Sequence, residues 1–177
     1  MRNRFIEWSN KNYSEKQRLI TIIPLGLLFP ILIPAIIVKT SDLDEILNFP
    51  KFELGLIGII AGIILIASGF SLAIWTIFIQ FNIGKGTPVP MMPTQRLIIT
   101  GPYKYCRNPM VLGTILAYFG IVVLTGSLSS FILFLIMIST LLLYVKRIEE
   151  KELEERFGQD YLEYKKKVPF IIPIKPL

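Results

Sequence analysis

The chain contains no histidine and a single cysteine, Cys106. One thiol excludes an internal disulfide, and without imidazole the common zinc and haem ligand sets cannot be assembled, so no metal centre is expected. Charge is also scarce: 18% of the 177 residues are Asp, Glu, Lys or Arg against 53% hydrophobic, and the mean hydropathy is +0.58. That balance excludes an ordinary soluble domain and predicts one membrane domain, residues 1–177. The net charge of +6 arises from lysines and arginines beside apolar runs. There, topology and anionic lipid headgroups account for them better than nucleic acid does. The first 18 residues are too polar for the core of a signal peptide, and no small-residue cleavage site follows, so the first apolar segment is expected to be retained.

Long uncharged runs dominate what remains. Leu19 to Val38 is a 20-residue run between Arg18 and Lys39, which at helical rise covers about 30 Å, one hydrocarbon core. Its Pro24, Pro30 and Pro34 each remove a backbone donor, predicting a bent span whose freed carbonyls need partners on neighbouring helices. A short acidic connection, 39–53, leads to a second apolar run in which Gly55, Gly58, Gly62 and Gly69 allow close helix approach. Residues 84–109 hold four basic residues, no acid and several prolines, the composition of a turn-rich loop. Met110 to Val145 then runs 36 residues without a charge, interrupted by Thr125-Gly126-Ser127. It is too long for one span and predicts a helical hairpin.

The expected fold is therefore all-α, an integral membrane protein with about four transmembrane helices, near 19–38, 54–80, 110–124 and 129–145. Of the 19 Lys and Arg, 17 lie in the amino-terminal stretch, the 84–109 loop and the 146–177 tail, which predicts that both termini and this loop are cytoplasmic. In the tail, Leu153, Phe157, Tyr161 and Tyr164 recur at helical spacing, and Lys146/Glu150 and Glu152/Arg156 stand four apart. These features predict an amphipathic helix with a break at Gly158. The final VPFIIPIKPL, with three prolines, is expected to run extended.

Polar chemistry meets the membrane at GPYKYCRNPMVLG, residues 101–113. Lys104 and Arg107, beside two tyrosines and an asparagine, could hold an anionic or zwitterionic ligand. Equally, they could serve as interfacial anchors, with Asn108-Pro109 as cap and first turn of the third helix. Glu149 and Glu150 could hold ligand hydroxyls or an ammonium group, or form a solvated face.

The combination of GTPVPMMPTQRLIITGPYKYCRNPMVLG, an apolar hairpin and EEKELEERFGQDYLEYKKKVPFIIP resembles the isoprenylcysteine carboxyl methyltransferase family and its phospholipid methyltransferase relatives. The resemblance runs over roughly residues 84–173. It implies a cytoplasm-facing S-adenosylmethionine pocket, open sideways to the bilayer for a lipidic or prenylated acceptor. Position by position it implies cofactor binding by Tyr103, Tyr105, Arg107, Asn108, Pro109, Gly113, Glu149 and Glu150, with Arg107 and Asn108 catalytic. The commoner family pattern is Arg-His-Pro-x-Tyr-x-Gly, where this chain has Asn108 and Val111. Asparagine can hydrogen-bond a cofactor but cannot act as a general base near neutral pH.

The activity most strongly implied is methylation of an isoprenylcysteine carboxylate. Phospholipid N-methylation and S-methylation of a small thiol are alternatives. From another class comes a non-catalytic membrane protein that binds a lipid or partner.

Overall fold

The computed structural model describes residues 13–89 and 92–173. The expectation about a signal peptide falls largely outside them. Every regular element among the described residues is helical. The first apolar run forms α1 (Glu15–Leu27), a π-helical turn (Leu28–Leu32) and α2 (Ile33–Thr40), followed by the short α3 (Leu43–Leu47). The second is α4 (Gly55–Asn82), and the hairpin is α5 (Pro109–Thr125) and α6 (Leu128–Tyr144). A second π turn (Val145–Glu149) joins α6 to the tail helix α7 (Glu150–Lys167). Among the described residues, three helical stretches are long and apolar enough to cross a membrane, and Pro109–Thr125 is a shorter apolar helix packed along α4. The protein is thus an all-α integral membrane protein with about four spans. Ile57, Ile64 and Phe78 of α4 are more than 60% exposed, as expected of side chains that face lipid.

The prolines of the first run explain its π turn. The Ile33 N–H bonds back to Leu28 O, five residues earlier. In that register Pro34 would bond Phe29 O, but it has no N–H. The Tyr118 hydroxyl of α5 donates to Phe29 O instead, at 2.8 Å. The freed carbonyl is satisfied by a neighbouring helix, and this fixes the π turn against the hairpin.

Glycine brings α4 and α5 together. A Cβ on Gly113 would lie 2.6 Å from Gly69 O, and one on Gly120 would lie 2.7 Å from Gly62 O, so neither position has room for a side chain. At the far end of the hairpin, Gly126 adopts φ 58° and its carbonyl accepts from Phe52 N–H at 2.7 Å.

Two residues cap α6 there. The Ser127 hydroxyl accepts from Ser130 N–H, and buried Asp44 accepts from Leu128 and Ser129 N–H at 3.2 and 2.9 Å. The acidic connection therefore closes the hairpin's turn from outside it, by the usual affinity of a carboxylate for a helix N-terminus.

Candidate active site

At the other end of the bundle the 84–109 loop, the start of α5, the end of α6 and α7 enclose a cavity of about 350 Å³, within the range of about 300–1,000 Å³ typical of small-molecule sites. Its two ends differ in character. Phe29, Met110, Val111, Thr114 and Leu141 line the part nearest the membrane helices, and Glu149, Glu152 and Arg156 line the part nearest the tail. The 84–109 stretch folds back on itself, with Gln95 N–H donating to Gly84 O and Thr87 N–H to Met92 O. That fold brings Thr87, Thr94 and Leu97 to the cavity wall. One 3-10 turn, Gly101–Lys104, then leads to α5.

Arg107 is the keystone of the wall. Its Nε donates to Glu150 Oε1 at 3.0 Å and its second terminal nitrogen sits 2.7 Å from the same oxygen. The remaining terminal nitrogen donates to Lys165 O and Val168 O, each at 2.8 Å. Lys165 Nζ meets the other Glu150 oxygen at 2.8 Å. The backbone joins in, Arg107 N–H donating to Pro169 O and Asn108 Nδ2 to Phe170 O at 2.9 and 3.0 Å. The segment after α7, as far as Phe170, is therefore strapped onto the loop by groups that would otherwise lack partners.

Tyr161 and Tyr164 pack with Val168, Leu97, Leu153 and Phe157 under the strap. The Tyr164 hydroxyl donates to Tyr103 O at 2.7 Å, and the Tyr103 hydroxyl accepts from Gln80 Nε2 at 2.7 Å. Burial pushes all three phenols upward, so they stay neutral at physiological pH.

Glu149 stands apart from this network. It ends the second π turn and lines the cavity. Among the described residues its carboxylate takes part in none of the hydrogen bonds or ion pairs that hold its neighbours. Burial first, then Glu152 and Glu150, pushes its carboxyl up to about 7, and Arg156 only partly opposes this. Arg156 bonds Glu152 at 3.2 Å and also donates to Thr94 O, which ties α7 to the loop. Glu152 is likewise pushed up, by burial before all else. This end of the cavity is therefore rich in carboxylate, with one cation already shared.

The expected site residues divide. Tyr103, Arg107, Asn108, Pro109 and Glu149 line the cavity. Tyr105 is 46% exposed and lies outside it. Gly113 sits in the α4–α5 contact, and Glu150 is taken up by Arg107 and Lys165. Two local expectations are corrected. Asn108 occupies the cap position of α5, but its side chain reaches Phe170 O rather than the helix N–H groups. The Lys146/Glu150 pair does not form, because Glu150 turns inward to a side-chain exposure of 4%. The Glu152/Arg156 pair does form, and the tail breaks at Gly158 with φ 53°.

Sequence reasoning missed Phe29, Gln80 and the role of Arg156 at the cavity. Arg156 carried a usable signal, since Glu149, Glu152 and Arg156 share the spacing of the Leu153/Phe157 face. Phe29 and Gln80 carried none. Among the described residues, no group of three or more Cys, Asp and Glu side chains comes together to hold a metal ion.

The sequence profile of the family described as phospholipid methyltransferase matches residues 57–160. Two curated proteins of Bradyrhizobium diazoefficiens are similar to this chain. Methanethiol S-methyltransferase 1 is 32% identical over 92 residues, 51% of this chain and 29% of that protein. Methanethiol S-methyltransferase 2 is 31% identical over 71 residues, 40% of this chain and 26% of that protein. The chain thus spans less than a third of the length of these relatives. No solved structure matches it.

Proposed function

The chain belongs to the phospholipid methyltransferase family, and from that premise we propose that it transfers a methyl group from S-adenosylmethionine to an acceptor entering from the bilayer. One observation carries the reading: a single cavity joins a carboxylate-rich end at Glu149, Glu152 and Arg156 to an apolar end at Phe29, Met110, Val111 and Leu141. The donor set fits the cofactor. Glu149 suits the positive charge that the donor alone carries, Glu152 suits an ammonium group or ribose hydroxyls, and Arg156 suits a carboxylate. The cofactor supplies an activated methyl on a positively charged sulfur.

The protein's part is alignment, excluding water and fixing the two reactants in line. Phe157, Tyr161 and Tyr164 form the apolar wall behind the cofactor. Arg107 and Asn108, whose donors are spent on Glu150 and the strap, act as positioning residues for that wall. They do not touch the acceptor in this reading.

For the acceptor, a thiol is favoured. The chain is similar to two proteins named for S-methylation of methanethiol, and the cavity's apolar end suits a thiol carried on a hydrophobic group. A prenylated cysteine carboxylate is the second reading, supported by the same apolar end and by its reach to Phe29 in the first span. Both termini and the cavity face the cytoplasm in this scheme. Exposed Lys104, Lys146, Lys151, Lys166 and Lys167 would then meet anionic lipid headgroups.

Calorimetric titration of S-adenosylmethionine into the purified protein in lipid-supplemented detergent tests the donor, with Arg156→Ala expected to weaken binding at least tenfold. A labelled methyl group then tests the acceptor against an alkyl thiol, a prenylcysteine and phosphatidylethanolamine. Labelling of the amine lipid alone would refute the thiol reading, and no binding by the folded protein would refute the methyltransferase reading.

A further inference from the structure

Two adjacent carboxylates, Glu149 and Glu150, have unlike surroundings. Glu150 is locked by Arg107 at 2.7 Å and Lys165 at 2.8 Å, so its charge is spoken for. Glu149 faces the cavity with no hydrogen bond or ion pair among the described residues. The charged and titratable groups around it come from every element of the wall. Glu150, Glu152, Arg156 and Tyr161 belong to α7, Tyr144 to α6 and Tyr103 to the loop. The Tyr103 and Tyr161 phenols are neutral, and Arg156 is shared with Glu152 and Thr94 O. Each cation near Glu149 is therefore already engaged by another carboxylate, and Glu149 has none of its own.

We infer that Glu149 is the specificity-determining carboxylate of the cavity: it gives up a proton when the cationic methyl donor binds and takes one back when transfer leaves an uncharged thioether. This rests on the function proposed above. The physical basis is that a carboxylate crowded by like charge and burial is held protonated until a positive charge arrives beside it. Its elevated proton affinity, near pH 7, sets the range in which the exchange is visible.

With a thiol acceptor the exchange balances. The acceptor sulfur forms a bond to the methyl carbon, the electrons of the broken carbon–sulfur bond stay on the donor sulfur, and the thiol proton passes to the Glu149 carboxylate. Bound donor and carboxylate sum to zero charge before the step, and so do thioether and carboxylic acid after it. Glu149 thereby favours the charged donor over its spent product without any steric difference between them.

The test is to titrate donor and, separately, its demethylated thioether product into the intact protein at pH 6, in two buffers of different ionisation enthalpy. At that pH a donor α-amino group of ordinary pKa, about 7.7–8.0, is already ammonium and contributes no proton of its own. Donor binding should release about one proton and product binding almost none, by proton linkage. Glu149→Gln should abolish the release and cut the preference for donor over product several-fold, while Glu163→Gln, at an exposed position outside the cavity, keeps both. Donor binding with buffer-independent heat in the wild type overturns the inference and leaves the proposed function standing. A release that survives Glu149→Gln, or disappears in Glu163→Gln, also overturns it. Absence of binding by either ligand overturns the proposed function itself.

Discussion

Replacing Arg107 with alanine removes a guanidinium that holds Glu150 and two backbone carbonyls at 2.7 to 3.0 Å. The pair is deeply buried, with side-chain exposures of 10% and 4%. Breaking such a pair from one side costs about 3–5 kcal/mol, because the surviving charge is left without its partner. Lys165 remains beside Glu150 and softens that term. The carbonyls of Lys165 and Val168 lose their donor, at about 1 kcal/mol or more each.

A net loss of about 3–4 kcal/mol follows, concentrated where the strap meets the loop. The chain carries its own reporter there. Cys106 is the sole cysteine and only 2% exposed, and burial pushes its thiol up as well. If strap opening limits access, Arg107→Ala should speed labelling of Cys106 by roughly a hundredfold or more, at about 1.4 kcal/mol per factor of ten. Glu150→Ala should act in the same direction, whereas Glu149→Ala should leave labelling unchanged. An Arg107→Ala protein with wild-type labelling and melting behaviour, but with donor binding lost, would refute the strap argument and make Arg107 a ligand residue.

Glu149→Gln should alter stability with pH in a defined sense. The wild-type carboxyl titrates near 7 when folded and at its ordinary, lower value when unfolded, so stability falls as pH rises from about 4.5 to 7 and stays reduced above that. The variant should therefore melt higher than wild type at pH 8, by about 1–3 kcal/mol of stability, and nearly equal to it at pH 5; an equal gain at both values refutes the assignment. Gly113→Val would drive a side chain into Gly69 O of α4. It should lower stability by about 1–3 kcal/mol or more, read by thermal unfolding in the same detergent, and an unchanged midpoint would show that α4 and α5 are not in van der Waals contact there.

Some of this architecture was legible from local chemistry. The apolar runs could be read because a bilayer core imposes length and expels charge. Gly126 and Gly158 could be read because each stands where the backbone takes a positive φ that other residues resist. The carboxylate pair and the Arg107 block were visible as candidates through resemblance, but their geometry was not. Arg107 meets Glu150 across 43 residues, and Asp44 caps α6 across more than 80. No periodicity encodes such pairs. The spacing rule that joined Lys146 to Glu150 assumes an unbroken α-helix, and the π turn at Val145–Glu149 breaks that assumption. The first π turn hid Phe29 in the same way, since three prolines announced a bend but not which side chain it would aim at the cavity.

That second π turn also separates two helical phases. A helix that leaves the bilayer must show one stripe to its neighbours in lipid, and the tail that continues it must show another to the loop. A straight α-helix would tie the two stripes together at 100° per residue. One wide turn takes up a residue and decouples them, so α6 can settle against α5 while α7 rotates independently onto Arg107. Glu149 and Glu150 stand at the seam between these two phases, which is how neighbouring, chemically identical side chains come to be one a fixed tie in the scaffold and the other a charge left free for the ligand.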